Sequence, residues 1–301
     1  MERNQMPFFR KLFRKVEPYL YLIPAFSLLI LFVYYPFAKN TILSFFSVDK
    51  FRNINKFVGF SNYVRVLSDG NFIKAIRNTF IYVFTTVPIS IIIGFALALL
   101  ARKKHKLSIV YEALFALSMA VSASVIAMIF QLAYNPSMGI INKITGLNTS
   151  WLTNSKTALL SLIIIQIWAN IGFNFIYIFS ALRGMSEEVL ESALIDGAVG
   201  ISRLFKIIVP LISPTLLFLL VKDIAYAMTT ASFTLIFYPY TDGRGGGPNG
   251  STETIMSYIY GKAIAGTNYN AAFAATMVGF VLSGIMMALC LVLDQKKVNY
   301  D

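Results

Sequence analysis

Three groups of residues in this 301-residue sequence have the type and spacing to do chemistry. Gln166, Asn170, Asn174 and Tyr177 recur at i, i+4, i+8 and i+11 in an apolar stretch. On a helix this places them within about 80° of one another. Amides can form paired hydrogen bonds to hydroxyls, and an aromatic ring offers a flat face for C–H stacking, so the stripe suits a sugar. The same stripe also suits interhelical hydrogen bonding between two chains. The second group is Lys222-Asp223, close to Tyr226, Thr229 and Thr230 in another apolar stretch. Each such charge costs about 2.5–3.5 kcal/mol at mid-span, so the pair needs a partner or a task. Sequence neighbours on a helix point about 100° apart and need not pair with each other. A lysine on a solute path favours an anionic cargo such as a glycerol phosphate or a sugar acid; alternatively Lys222 snorkels from a span that begins later. The third group is Glu191-Ser-Ala-Leu-Ile-Asp-Gly197, followed nine residues on by Ile207-Ile-Val-Pro210. This polar, acidic segment between two long apolar runs is where something outside a bilayer must grip the chain.

Other chemistry is excluded by residue types. The sequence has one cysteine and one histidine. Cys290 lies inside an apolar run and reads as a small hydrophobe, and His105 sits in the basic run Arg102-Lys-Lys-His-Lys106. A disulfide framework, a thiolate metal site and Cys-His nucleophilic chemistry therefore fall away. No histidine, Ser/Lys or carboxylate-pair constellation supports an intramembrane enzyme. The net charge of +12 is spread over tails and loops rather than gathered among stacking aromatics, which argues against nucleic acid. Gly243-Arg-Gly-Gly-Gly-Pro-Asn-Gly250 lacks the Gly-Lys-Ser/Thr of a phosphate loop and reads as an outer-face turn.

The elements that must position these groups are membrane helices. The chain is 57% hydrophobic and 13% charged, with a mean hydropathy of +0.67. Soluble domains carry about 25% charge. Six apolar runs, near 18–38, 78–101, 113–134, 158–182, 212–237 and 271–293, are long enough to cross about 30 Å of hydrocarbon. The expected architecture is an all-α, polytopic bundle of six transmembrane helices with a projecting helix–turn–helix. It divides into a basic N-terminal tail (1–17), a membrane domain (18–295) holding the connecting loop 183–211, and a C-terminal tail (296–301). The tail from Met1 to Lys15 is basic and amphipathic, suited to a lipid surface. The first span reads as a retained anchor, with no small-residue cleavage site after it. Lys/Arg density at the span ends favours a cytoplasmic N-terminus, and six spans return the C-terminus to the same side.

Within 183–211, Ser186 is placed to cap a helix whose first turn carries Glu187 and Glu188. Val189, Leu190, Ala193 and Leu194 form an apolar stripe. Gly197 permits the positive φ of a sharp turn. A second short helix follows Ser202, with Leu204, Phe205 and Ile208 on one side and Arg203 and Lys206 exposed, and Pro210 closes it. The acidic charge argues against a loop lying on anionic lipid.

Here the sequence resembles the permease subunits of binding-protein-dependent ABC importers. Their ATPase-docking signature, Glu-x-Ala-x-x-x-Gly, nine residues, then Ile-x-Leu-Pro, stands here as Glu191, Ala193, Gly197, Ile207, Val209 and Pro210; Ser192 replaces a usual alanine and Val209 the usual leucine. The match looks most like the sugar-permease branch, the maltose and glycerol-phosphate type. Tyr19-Leu-Tyr-Leu-Ile-Pro-Ala25, Phe57-Val-Gly-Phe-Ser-Asn-Tyr63, Asn78-Thr-Phe80, Gly245-Gly-Gly-Pro248 and Thr252-Glu-Thr-Ile-Met-Ser-Tyr258 all fit it. Lys222-Asp223 departs from it, since that branch usually has apolar or small residues there. The resemblance implies a multi-pass cell-membrane protein that is not an enzyme. It implies a second homologous permease subunit, a cytoplasmic ATPase dimer and an extracellular solute-binding protein as partners. It further implies that Glu191, Ala193, Asp196, Gly197 and Pro210 couple to the ATPase. ATP and Mg would sit on that ATPase, with no cofactor on this chain. Gln166, Asn170, Asn174, Tyr177, Lys222, Asp223, Tyr226 and Thr230 are the candidates for the path of a small-molecule solute. The alternative is a self-sufficient secondary transporter or channel, which needs intramembrane carboxylates for ion coupling; Asp223 alone is available.

Overall fold

The computed structural model describes residues 8–102, 108–240, 245–266 and 268–297. Residues 1–7 of the expected tail 1–17, the run 103–107 that holds His105, residues 241–244, residue 267 and residues 298–301 of the expected C-terminal tail lie outside the described residues.

The helices follow the apolar runs. The first span, Tyr19–Leu43, runs through the second half of α1 (Phe8–Leu29), a π-helical turn (Ile30–Tyr34) and α2 (Tyr35–Leu43). A short antiparallel hairpin, β1 (Phe46–Val48) with β2 (Ile54–Phe57), follows. It is the departure from an all-α chain among the described residues. Then come α3 (Ser61–Leu67) and α4 (Gly70–Ala101), the latter capped by Asp69, whose carboxylate accepts from the Asn71 amide at 2.9 Å. Pro88 lies inside α4, tolerated because neighbouring groups re-satisfy freed carbonyls in membrane helices. After α5 (Ser108–Ala120), α6 (Ala123–Ala133) and the short α7 (Ile140–Thr145) comes α8 (Ala158–Arg183). The projecting segment holds α9 (Glu187–Ile195), α10 (Gly200–Arg203), a π-helical turn (Leu204–Ile208) and α11 (Val209–Leu211). The remaining elements are α12 (Ser213–Thr229), α13 (Ser232–Phe237), α14 (Ile255–Tyr260) and α15 (Tyr269–Lys297).

Among the described residues five helical segments are long and apolar enough to cross a membrane, and α5 with α6 brings the number to six where the bent pair is counted as one span. That sixth is not the straight span expected over 113–134: it bends by 99°. Ser122, in an extended conformation at the break, accepts from the Val125 amide and starts a new helix there. The expected span 212–237 is also broken, where Thr230 and Ala231 leave helical geometry between α12 and α13. Consecutive threonines are weak helix formers, and their hydroxyls compete for the backbone. Thr229 illustrates this by bonding the Ala225 carbonyl at 2.8 Å.

Three apolar clusters run along the bundle. One joins Val66, Phe72, Tyr258 and Ala274 at the end where α4 begins. A central one joins Tyr82, Leu162, Ile165, Ile224 and Phe233. The third, where α4 ends, joins Ala98, Phe175, Ile178 and Leu219 to Leu190 and Ile208 of the projecting segment. Close approach of α4 to α8 depends on Gly94, where a Cβ would lie 2.9 Å from the Asn174 Cβ. The first span stands off the body, with no residue of its most apolar window buried.

Candidate transport path and coupling knob

Helices α8 and α12 carry the polar groups of the membrane region. Tyr82 donates to Gln166 Oε1 at 2.9 Å, and Gln166 Nε2 donates to Asn170 Oδ1 at 2.8 Å. Asn174 Nδ2 donates to Asp223 Oδ2 at 2.9 Å and to Ser90 Oγ at 3.2 Å. Lys222 and Asp223 pair with each other, Nζ to Oδ1 at 2.7 Å, because the long lysine stem reaches across the angle that separates their Cα–Cβ bonds. Asp223 is 0% exposed and Lys222 29% exposed, and the ammonium lies 3.8 Å from the centroid of the Phe173 ring. The Lys222 ammonium is thus turned onto Asp223 and the Phe173 face. Two buried amide atoms, Asn170 Nδ2 and Asn174 Oδ1, have no hydrogen-bond partner.

These groups surround a cavity of about 270 Å³ lined by Gln166, Asn170, Phe173, Lys222, Tyr226 and Ser118, among others. Val121 and Ala123 beside the first helix break also line it, as does Phe233 beside the second. Broken membrane helices at a solute site offer free backbone groups where the bilayer would otherwise forbid them. Of the expected path residues, Gln166, Asn170, Lys222 and Tyr226 line the cavity. Asn174 and Asp223 stand behind as its support. Tyr177 leaves the stripe and stacks on Phe173 at 4.4 Å between centroids, and Thr230 is the cap of the α12 break. Phe173, Tyr82 and Ser90 were missed: each lies among many apolar or hydroxyl residues of the spans, with no spacing that marks it.

The knob is built from a helix ending in a Schellman turn. Gly197, at φ +77°, donates to the Leu194 carbonyl, and Ala198 donates to the Ala193 carbonyl. Gly200, at φ +56°, is a second left-handed residue that the sequence pattern did not reveal. Ser186 makes no side-chain cap to α9, although its backbone is extended as a cap residue's is. The expected apolar stripe divides: Leu190 and Ala193 are buried, whereas Val189 and Leu194 are exposed, as is Ile195 beyond the stripe, at 87%. Phe205 also faces outward, turned away from Leu204 and Ile208 by the wider π-helical turn. Arg203, expected exposed, is half-buried. Pro210 does not close the second helix; it follows the π-helical turn, in which Val209 donates to the Leu204 carbonyl, and the helix runs to Leu211. Glu191 and Asp196 are exposed.

At the opposite end, a cleft of about 780 Å³ is lined by Tyr238, Tyr240, Glu253, Tyr258 and Lys262. The glycine-rich turn wraps Thr252 and Glu253, with Gly246 and Gly247 at positive φ. Asn78 Nδ2 donates to the Glu253 carbonyl at 3.0 Å and Thr79 Oγ1 accepts from the Ile255 amide at 2.9 Å. Burial pushes the Glu253 carboxyl up from its ordinary value, opposed by the Tyr240 hydroxyl, which donates to it at 2.7 Å.

A bundle of apolar helices around a polar cavity, with helices broken beside it and a helical knob outside the bundle, defines a membrane transport subunit. Residues 90–299 match the family described as the binding-protein-dependent transport system inner membrane component, and the chain belongs to that family. It is a multi-pass permease component of an ABC importer. The chain is 29% identical over 297 residues to the probable ABC transporter permease protein YurN of Bacillus subtilis (strain 168), covering 95% of this chain and 96% of that protein. It is 28% identical over 288 residues to the sn-glycerol-3-phosphate transport system permease protein UgpA of Yersinia pestis bv. Antiqua (strain Antiqua), covering 94% and 96%. Its fold matches a chain of a bacterial alginate ABC transporter, crystallised in complex with an alginate pentasaccharide-bound periplasmic protein. The TM-score is 0.81 at 21% identity, covering 97% of this chain and 98% of that one.

Proposed function

We propose that this subunit imports a sugar-type solute through the 270 Å³ cavity and is driven by a separate ATPase dimer, which holds ATP and Mg and grips the Glu191–Pro210 knob. The observation that carries the reading is the knob itself. A Schellman turn fixes two short helices at an angle, and apolar Leu194, Ile195, Val199 and Ile201 are left exposed beside acidic Glu191 and Asp196. An apolar tip with an acidic flank fits a groove on a soluble partner better than an anionic membrane surface. Ala193 serves by being small where α9 meets the body, and Gly197 and Pro210 set the path of the backbone. Closure of the ATPase pair would move two knobs together and rock the bundles by alternating access.

In the cavity, Lys222 is already neutralised at 2.7 Å, so it offers an incoming anion a weaker field than a free lysine would. The unpartnered Asn170 Nδ2, the remaining N–H groups of Lys222 and the Tyr226 ring suit hydroxyl-rich cargo. The relatives named for sn-glycerol-3-phosphate and alginate import support a sugar-like solute. The uncovered first span calls for lipid and a sister permease around it, and the outer cleft suits the solute-binding protein. Nothing favours an ion-coupled carrier, because Asp223 is sealed between Lys222 and Asn174.

Affinity purification of the tagged chain from native membranes, followed by mass spectrometry, tests the assembly. An ATPase, a second permease and a solute-binding lipoprotein should co-purify. Recovery of the chain alone or as a homo-oligomer rejects the importer assembly.

A further inference from the structure

The cytoplasm-facing end of the bundle, as the knob orients it, holds two arginines that the transport reading does not use. Arg102 follows the last residue of α4, and Arg203 ends α10. The chain next to each packs into one apolar cluster: Leu97, Leu99 and Ala101 of α4 with Leu204 and Ile208 of the π-helical turn that follows α10. The arginines are therefore carried to one junction by packing on either side of them. Both are half-buried, and Arg203 Nε is enclosed without a hydrogen-bond partner. Neither arginine is in the ion pairs seen among the described side chains, which are Arg183–Glu112, Lys222–Asp223 and Lys262–Asp69. Burial, and then the neighbouring Arg203 charge, push the Arg102 guanidinium down from its ordinary value, so the two cations oppose each other.

Two like charges held together in partly desolvated surroundings require an anion from outside. Guanidinium forks match phosphate oxygens in geometry, and paired forks hold them more firmly than a lysine would. The location decides the source. Arg102 ends a membrane-spanning helix, and Leu100, in the last turn, is 79% exposed to whatever surrounds the bundle. An exposed leucine with arginines at the helix end matches acyl chain below and headgroup above, and the cytoplasmic leaflet supplies anionic phosphates.

We infer that Arg102 and Arg203 form a binding site for the phosphate of an anionic phospholipid, seated between the end of α4 and the second knob helix. A lipid there would brace the knob against the bundle. The site does not depend on which solute is carried, so it stands or falls apart from the cargo reading.

The test uses the full-length protein, delipidated in detergent and titrated separately with dioleoyl phosphatidylglycerol, dioleoyl phosphatidylcholine and inorganic phosphate. Native mass spectrometry counts retained lipid, and thermal unfolding reports stabilisation. Phosphatidylglycerol should be retained and stabilising, with phosphatidylcholine at least tenfold weaker. The Arg102→Gln/Arg203→Gln double variant should lose about tenfold in phosphatidylglycerol retention, and Arg102→Lys/Arg203→Lys should lose less. The wild-type comparison of the two lipids needs no variant to fold. Equal retention of both lipids by the wild type, or stabilisation by inorganic phosphate alone, overturns the lipid site. So does unchanged phosphatidylglycerol retention in the double glutamine variant with loss of ATPase co-purification, which would give the arginines to a carboxylate of the ATPase.

Discussion

At the scale of single residues, the buried pair decides how the cavity behaves. Asp223 has no solvent to fall back on and depends on Lys222 and Asn174 for both its oxygens. Removing one member of a buried pair typically costs about 3–5 kcal/mol, while replacing both with apolar groups of similar size is often close to neutral. Lys222→Met should therefore destabilise more than the Lys222→Met/Asp223→Leu double variant, with a coupling of about 1–3 kcal/mol. Thermal unfolding followed by the fluorescence of Trp168, which sits edge-on to Phe130 at 5.7 Å, checks this; additive effects would show that the pair does not act as a unit. Asp223→Asn leaves Lys222 uncompensated, and solute competition in proteoliposomes should then shift toward anionic sugars. Glu253 gives a prediction of opposite dependence. Its carboxyl is raised, so its protonated form is the one that the fold favours. The stability it contributes is fully present below the ordinary glutamate range and is lost as pH rises through its elevated value. Glu253→Gln keeps an acceptor for Tyr240, and should raise the unfolding midpoint by about 2 °C at pH 7.5 with no gain at pH 4. A midpoint gain that is the same at both pH values would remove Glu253 from this account.

At the scale of elements, the proposed mechanism rests on turns and breaks. The Schellman turn places Gly197 in a conformation that costs an L-residue about 1–2 kcal/mol, and a Cβ there would meet nothing within 4 Å. The penalty is therefore backbone strain and not collision. Gly197→Val should reduce ATP-coupled uptake at least tenfold while the protein still inserts and folds, and Gly197→Asn should retain most activity because asparagine tolerates this region. Normal uptake by the valine variant would sink the docking role. This turn was legible because glycine after an apolar helical stripe has few other meanings. The helix breaks at 121–122 and 230–231 were not. Neither has proline or glycine, and hydropathy averages over a kink of two residues. Within the stripe on α8, spacing alone could not separate Gln166 and Asn170, which line the cavity, from Asn174, which stands behind it, or from Tyr177, which stacks on Phe173. Nor could it show that Lys222 would fold back on its own neighbour, since that depends on Phe173 being there to receive the ammonium. The glycine-rich turn read as a plain outer loop; its contact with Asn78, and that of Thr79 with Ile255 just beyond it, span more than 170 residues in sequence and could only come from the fold.

At the scale of the whole molecule, the knob and the glycine-rich cleft lie at opposite ends of the bundle, one among residues packed on the end of α4 and the other on its beginning. If the knob meets a cytoplasmic ATPase, the cleft must face outward, and both termini must be cytoplasmic. Charge alone argued this weakly, because the stretch between the first two spans is itself basic. Thiol labelling can settle it. Cys290 is buried and is the sole cysteine of the chain, so Cys290→Ala gives a silent background. On that background Asn249→Cys, in the exposed turn of the cleft, should react in intact cells with a membrane-impermeant maleimide. Ile195→Cys, at the tip of the knob, should react only after the membrane is opened, and its labelling should fall when the ATPase is bound. The opposite pattern in intact cells would invert the protein and remove the ATPase from the knob. Protection of both sites by the assembled complex, each from its own side, would tie the two ends of the bundle to the two partners that a coupled importer needs.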